Sequence, residues 1–93
     1  MPRQSQHISS HFSEFEKILA NAIGERIRQR RRKLKLTQEN LRVKMELENV
    51  YVTRSHLSRI ENGESLPVAS EIIALCTVLN VSFRWLLLGE ETK

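Results

Sequence analysis

Leu36-Thr37-Gln38-Glu39-Asn40-Leu41 and, further on, Thr53-Arg54-Ser55-His56-Leu57-Ser58-Arg59-Ile60-Glu61-Asn62-Gly63 decide the fold. Each stretch opens on a threonine, whose hydroxyl accepts from the free N–H groups of a helix's first turn. The second closes on Asn-Gly, residues tolerant of left-handed backbone at a helix end. Two short helices follow from this punctuation. In the second, Leu57 and Ile60 fall on one face, while Arg54, Ser55, Ser58 and Arg59 fall on the other. That pattern suits a helix with one side on a core and the other in a DNA major groove.

Upstream, Ser13 and Glu16 have the spacing of a capping box. Apolar residues then recur at Phe15, Ile18, Leu19, Ala22, Ile23 and Ile27. This is helical periodicity, and it runs to about Leu34. Gly24 falls inside it and weakens a helix by ~1 kcal/mol relative to alanine. The helix either continues through Gly24 or breaks there into two. Thr37 then caps a second helix with Leu41 and Met45 on its inner face. The segment Glu46–Val52 mixes apolar residues with Asn49, a turn former.

Downstream, Ser65-Leu66-Pro67 predicts the start of a further helix, with Pro67 in its first turn. Asn80 marks its end. Ser82 caps a last helix, Phe83-Arg84-Trp85-Leu86-Leu87-Leu88, closed by Gly89. No segment alternates in the strand manner, so the expected fold is all-α.

Ninety-three residues, 40% of them apolar, make one globular domain with one modest core. No apolar run reaches the ~18 residues of a membrane span. No basic segment leads into an apolar one, so no secretion signal is expected and a cytoplasmic, nucleoid-associated location is. Net charge is +4 but unevenly spread. From Arg26 to Arg59 eleven Lys and Arg face three acids, a balance of +8, while residues 60–93 carry −3 and residues 1–25 carry −1. A localised basic block is the electrostatic footprint of a polyanion binder. For Arg30-Arg31-Arg32-Lys33 alone, a solvated helix face explains the run as well.

Residues 1–12 read as a flexible polar arm. His7 and His11 are four apart within it. No cysteine or carboxylate before Glu14 completes a metal site, so an unstructured tail is the stronger reading. The single cysteine, Cys76, excludes an internal disulfide and sits among aliphatic residues as a small hydrophobe. No acid pair, no nucleophile with a base and no phosphate-cradling loop stands out, so neither an enzyme nor a cofactor is expected. RNA or membrane-surface binding lacks its usual aromatic residues among the arginines.

With these pieces in hand, the chain resembles the phage repressor and Cro (Xre-like) helix-turn-helix family. The resemblance rests on Ile23-Gly24-Glu25-Arg26-Ile27, on the two stretches quoted first, and on Leu79-Asn80-Val81-Ser82 with Trp85-Leu86-Leu87-Leu88-Gly89. It covers a core of about 22–89 within a domain of 13–93, leaving a helical extension at about 13–21. It implies a compact five-helix domain that binds a palindromic operator in double-stranded DNA as a homodimer and acts as a transcription regulator, typically a repressor.

Residue by residue, the resemblance implies that Gln38 donates to a phosphate and braces the recognition helix. Thr53, Arg54 and Ser55 would meet base edges or nearby phosphates, and Arg59 would reach deeper into the groove. Ser58 would contact a phosphate or a base, and Asn62 would offer its backbone N–H to a phosphate. Arg31 and Glu61 would form a partly buried ion pair. The chemistry of arginine agrees, because its two parallel N–H groups match guanine O6 and N7. Phosphate contacts from the basic residues of the first two helices, Arg30 and Lys33 among them, would set register. His56 is as readily a bystander as a contact.

Three positions depart from the family. Thr37 and Thr53 stand sixteen apart, a wider spacing than usual, so the turn is longer or the second helix extends. Arg42 replaces a small residue where the two helices touch, so packing shifts or Arg42 turns outward. Lys35 stands where glycine commonly ends the first helix. The extension adds an apolar stripe that needs a partner. Phe15, Ile18 and Leu19 are therefore candidate dimer contacts, with Phe83 and Leu87 of the last helix as a competing surface. The same stripe and the odd turn would also serve an antitoxin-like or co-regulator module with a protein partner.

Overall fold

A computed structural model describes residues 12–90. The arm expected over 1–12, apart from Phe12, and its His7/His11 pair lie outside them. Among the described residues five helices follow one another: α1 Glu14–Lys33, α2 Gln38–Leu47, α3 Arg54–Glu61, α4 Ala69–Leu79 and α5 Phe83–Leu88. Among the described residues there is no strand. The domain is all-α.

Local capping sets most of the boundaries. The Ser13 hydroxyl accepts from the Glu16 N–H at 3.2 Å, while the Ser13 N–H donates to the Glu16 carboxylate at 2.9 Å. Thr37 and Asn40 repeat this reciprocal box at α2. Thr53 and Ser82 accept from the N–H groups of His56 and Trp85, each at 3.0 Å. Each satisfies a donor that a helix start would otherwise leave free.

The start of α4 differs from the expectation. Pro67 lies outside the helix, and Val68 is the residue before its first turn. Valine has no acceptor, so the work falls to Glu71, whose Oε1 accepts from the Val68 N–H at 2.9 Å. Proline also disfavours helical backbone in the residue before it, which keeps Leu66 out of the helix.

α1 runs unbroken through Gly24. Its best-packed neighbour is α3, and α5 and α4 also lie along it. The core gathers Ile23 and Ile27 of α1, Leu41 and Met45 of α2, Leu57 and Ile60 of α3, Leu75 and Leu79 of α4, and Leu86 of α5. Each fully buried aliphatic side chain stabilises the fold by ~1.5–3 kcal/mol. Cys76 joins this core, and burial pushes its thiol pKa up.

Both readings of the wide spacing between Thr37 and Thr53 hold in part. α2 runs as far as Leu47, and residues 48–53 then make the turn. Asn49 adopts left-handed backbone at φ +67°. Val52 turns into the core while Tyr51 stays exposed, so the added turn is anchored by its own apolar plug. Lys35, at φ +61°, makes the left-handed turn between α1 and α2 without glycine.

Candidate nucleic-acid interface

α3 presents two unlike faces. Leu57, Ile60 and Glu61 are buried; Arg54, Ser55, Arg59 and Asn62 are exposed, with Ser58 and His56 between. Residues three and four apart on a helix are neighbours, so Ser55, Arg59 and Asn62 form one strip and Arg54 with Ser58 another. Thr53, exposed, stands at the head of both.

A buried carboxylate fixes the inner face. Glu61 is 1% exposed. Arg31 donates to it twice, Nε to Oε2 at 2.8 Å and Nη2 to Oε1 at 2.9 Å. Gln38 Nε2 adds a third donor to Oε1 at 3.0 Å. Such paired, hydrogen-bonded geometry is what a charge needs in a dry interior. α1, the start of α2 and the end of α3 therefore meet at one carboxylate. Gln38 braces α3 through this bond, and its second N–H has no protein partner among the described residues.

Arg54 leaves the helix start toward α2, where its Nε lies 3.5 Å from Glu39 Oε1, yet its side chain is 80% exposed. Glu39 is gripped more tightly by Arg42, which donates to it from Nε at 3.1 Å and Nη2 at 2.6 Å. Arg42 thus turns outward along α2 rather than into the contact between the helices. Its guanidinium holds the Glu39 carboxyl below the usual range, against a smaller opposing effect of desolvation.

Asn62 corrects an expectation. Its backbone N–H donates to the Ser58 carbonyl at 3.0 Å as the last bond of α3. The N–H is spent within the helix, and what Asn62 offers outward is its exposed side-chain amide.

The arginines of α1 have a use that the sequence reading missed. Arg26 Nη1 donates to the Leu86 carbonyl at 2.9 Å, and Arg30 Nε to the Leu79 carbonyl at 2.8 Å. Arg28 donates to the Glu61 carbonyl. These oxygens belong to the last turns of α5, α4 and α3, where carbonyls lack helical partners and the dipole is negative. Three of the five arginines of α1 thus close helix ends. Arg32, Lys33, Lys35 and Lys44 stay exposed.

A second missed contact links α3 to α4. His56 Nε2 lies 3.1 Å from Glu71 Oε2, and Arg59 Nη2 lies 3.5 Å from His56 Nδ1. Nothing local in the sequence marks it, because its two ends are fifteen residues apart.

The candidate dimer residues are divided. Phe15 and Ile18 are 69% and 68% exposed, and Phe83 is exposed too, while Leu19 and Leu87 pack partly on the core. Trp85 also packs against the core. An open groove of about 480 Å³ beside α1 and α5, lined by Arg30, Lys33, Ser82 and Trp85 among others, contains no residue of α3. Among the described residues no cluster of His, Cys, Asp or Glu could hold a metal ion. No helix there is long and apolar enough to cross a membrane.

A helix-turn-helix family model matches residues 27–86. Among curated proteins, the chain is similar to the HTH-type transcriptional regulator DicA of Escherichia coli (strain K12), with 42% identity over 71 residues. The match covers 76% of this chain and 49% of that protein, so the chain spans about half the length of this relative. No solved structure matches significantly.

Proposed function

The chain belongs to the phage repressor/Cro (Xre-like) helix-turn-helix family, and on that premise we propose that it binds double-stranded DNA sequence-specifically and regulates transcription. In the finer reading it is a dimeric repressor on a palindromic operator, working in the cytoplasm at the nucleoid. One observation carries the proposal. α3 is anchored from behind through Leu57, Ile60 and Glu61 while Arg54, Ser55 and Arg59 are exposed on its outer side.

In this reading Arg54 and Arg59 read guanine edges, each bidentate pair discriminating by ~1–3 kcal/mol. Thr53, Ser55 and Ser58 meet bases or phosphates, and Gln38 and the Asn62 side chain hold phosphates and set register. Phe15, Ile18, Leu19, Phe83 and Leu87 supply the contacts between two copies. A second reading, an antitoxin-like or co-regulator module, is favoured by the exposure of Phe15 and Ile18.

Selection of binding sites from random duplex DNA tests the proposal. An enriched palindrome is expected, with one position relaxed when Arg59→Ala is used. Affinity is expected to fall steeply with salt, as counterion release requires. A folded protein that enriches no sequence and shows no salt-dependent binding would favour the second reading.

A further inference from the structure

Arg59 is exposed, yet it is not left to itself. It ends a line of contacts that begins in the buried first turn of α4. Glu71, buried there, uses Oε1 to accept from the Val68 N–H at 2.9 Å. Its Oε2 meets His56 Nε2 at 3.1 Å, and His56 Nδ1 faces Arg59 Nη2 at 3.5 Å, the long end of a hydrogen bond. We propose that His56 is a positioning residue for DNA reading, which takes its orientation from Glu71 and aims the guanidinium of Arg59. This rests on the reading of α3 as the DNA-reading helix.

The chemistry of the ring sets the order of donors. An ionised carboxylate can only accept, so Nε2 carries the proton beside Glu71. A neutral ring then keeps a lone pair on Nδ1, where it accepts from Arg59. An unrestrained arginine loses rotamer freedom when a complex fixes it. Holding it beforehand lowers that cost and narrows the base it meets.

The charged groups in contact with the ring are the Glu71 carboxylate of α4 and the Arg59 guanidinium of α3. The elements most closely packed on α3 direct their charges elsewhere: α1 sends Arg28 and Arg31 to Glu61, and α2 sends Glu39 to Arg54.

Two substitutions separate aiming from mere packing. The amide of His56→Gln supplies one donor for Glu71 and one acceptor for Arg59. In Glu71→Gln the amide oxygen still serves Val68, but its NH₂ faces His56 and drives the ring proton to Nδ1. His56→Phe keeps bulk and removes both contacts.

The experiment is site selection from random duplex DNA with each of these variants, beside Arg59→Ala and the unaltered protein. Circular dichroism checks each variant for native helix content. At the operator position that Arg59→Ala relaxes, His56→Phe and Glu71→Gln are expected to lose about fivefold in discrimination, part of the roughly 5- to 150-fold that a bidentate arginine gives. His56→Gln, which restores both contacts, should hold the preference of the unaltered protein.

The relay is overturned if folded His56→Phe and Glu71→Gln keep the original preference while Arg59→Ala changes it. It is equally overturned if folded His56→Gln loses as much discrimination as Glu71→Gln, a comparison that stands even where His56→Phe fails to fold. An unchanged preference in Arg59→Ala itself would instead remove Arg59 from the reading face, and the relay with it.

Discussion

A Cβ built on Gly24 would stand 2.6 Å from the carbonyl oxygen of Glu61, and as close to that of Ile60. The last turn of α3 is therefore seated on bare backbone in the middle of α1. This explains a glycine that helix propensity alone disfavours.

Gly24→Ala should for that reason destabilise, although alanine is the better helix former by ~1 kcal/mol. The neighbours are backbone atoms and cannot swing aside, so the overpacking cost of ~1–3 kcal/mol outweighs that gain. Urea denaturation should show a lower midpoint with an unchanged slope. A higher midpoint would mean that α3 does not rest there.

Glu61→Ala should cost ~3–5 kcal/mol, because it strands the Arg31 guanidinium in a dry site. That is a large share of the ~5–15 kcal/mol that hold a domain together. Joint replacement by Arg31→Met and Glu61→Leu should recover much of the loss, since well-packed apolar groups often match a buried pair. A double-mutant cycle in urea measures this; independent, additive losses would contradict it.

Arg30→Ala should act on stability rather than on DNA. Its Nε serves the Leu79 carbonyl at the end of α4. A charged hydrogen bond in a half-buried place contributes ~1 kcal/mol, which lowers the melting temperature of a domain this size by roughly 4–8 °C. The salt slope of DNA binding should stay as it was. Lys33→Ala should do the reverse, leaving melting unchanged and reducing that slope by about one unit.

Lys35→Gly should stabilise, but by less than ~1 kcal/mol. A side chain in left-handed backbone costs roughly 1–2 kcal/mol, and the freedom glycine adds to the unfolded chain offsets part of the relief. Lys35→Ala is the control and should bring no gain. Thermal melts of the three proteins, side by side, decide it.

Glu39 gives a pH prediction. Arg42 holds its carboxyl below the ordinary value in the folded state. A depressed carboxyl contributes stability that is present above its unfolded pKa and is lost as pH falls through the folded one. Arg42→Met should raise the Glu39 pKa toward the ordinary range in an NMR titration. The stability difference between the two proteins should also shrink as the solution is acidified. Both observations must go together for the clamp to be the cause.

How much of this was legible depended on distance along the chain. Ser13, Thr37, Thr53 and Ser82 cap helices through bonds to residues three positions away, and such bonds leave a local signature. The apolar rhythm of α1 and the outward set Arg54, Ser55 and Arg59 were equally open to reading. The end of the candidate site at Asn62 was misread in one atom, since only coordinates tell which acceptor a backbone N–H finds. Val68 was missed because its cap comes from Glu71 rather than from a side chain of its own. The partners of Arg26, Arg30 and His56 lie sixty, forty-nine and fifteen residues off. No periodicity encodes which carbonyl or carboxylate a long side chain will meet after folding.

The docking of Arg26, Arg28 and Arg30 onto three different helix termini has a practical side. Anyone wishing to weaken nucleic-acid affinity by neutralising this stretch would dismantle the scaffold before touching the ligand. Exchanging these residues for lysine to improve handling would fare little better, since a compact ammonium lacks the flat, forked reach that each terminus receives. The tolerant place for charge engineering is the other side of the same helix and its end, at Arg32 and Lys33.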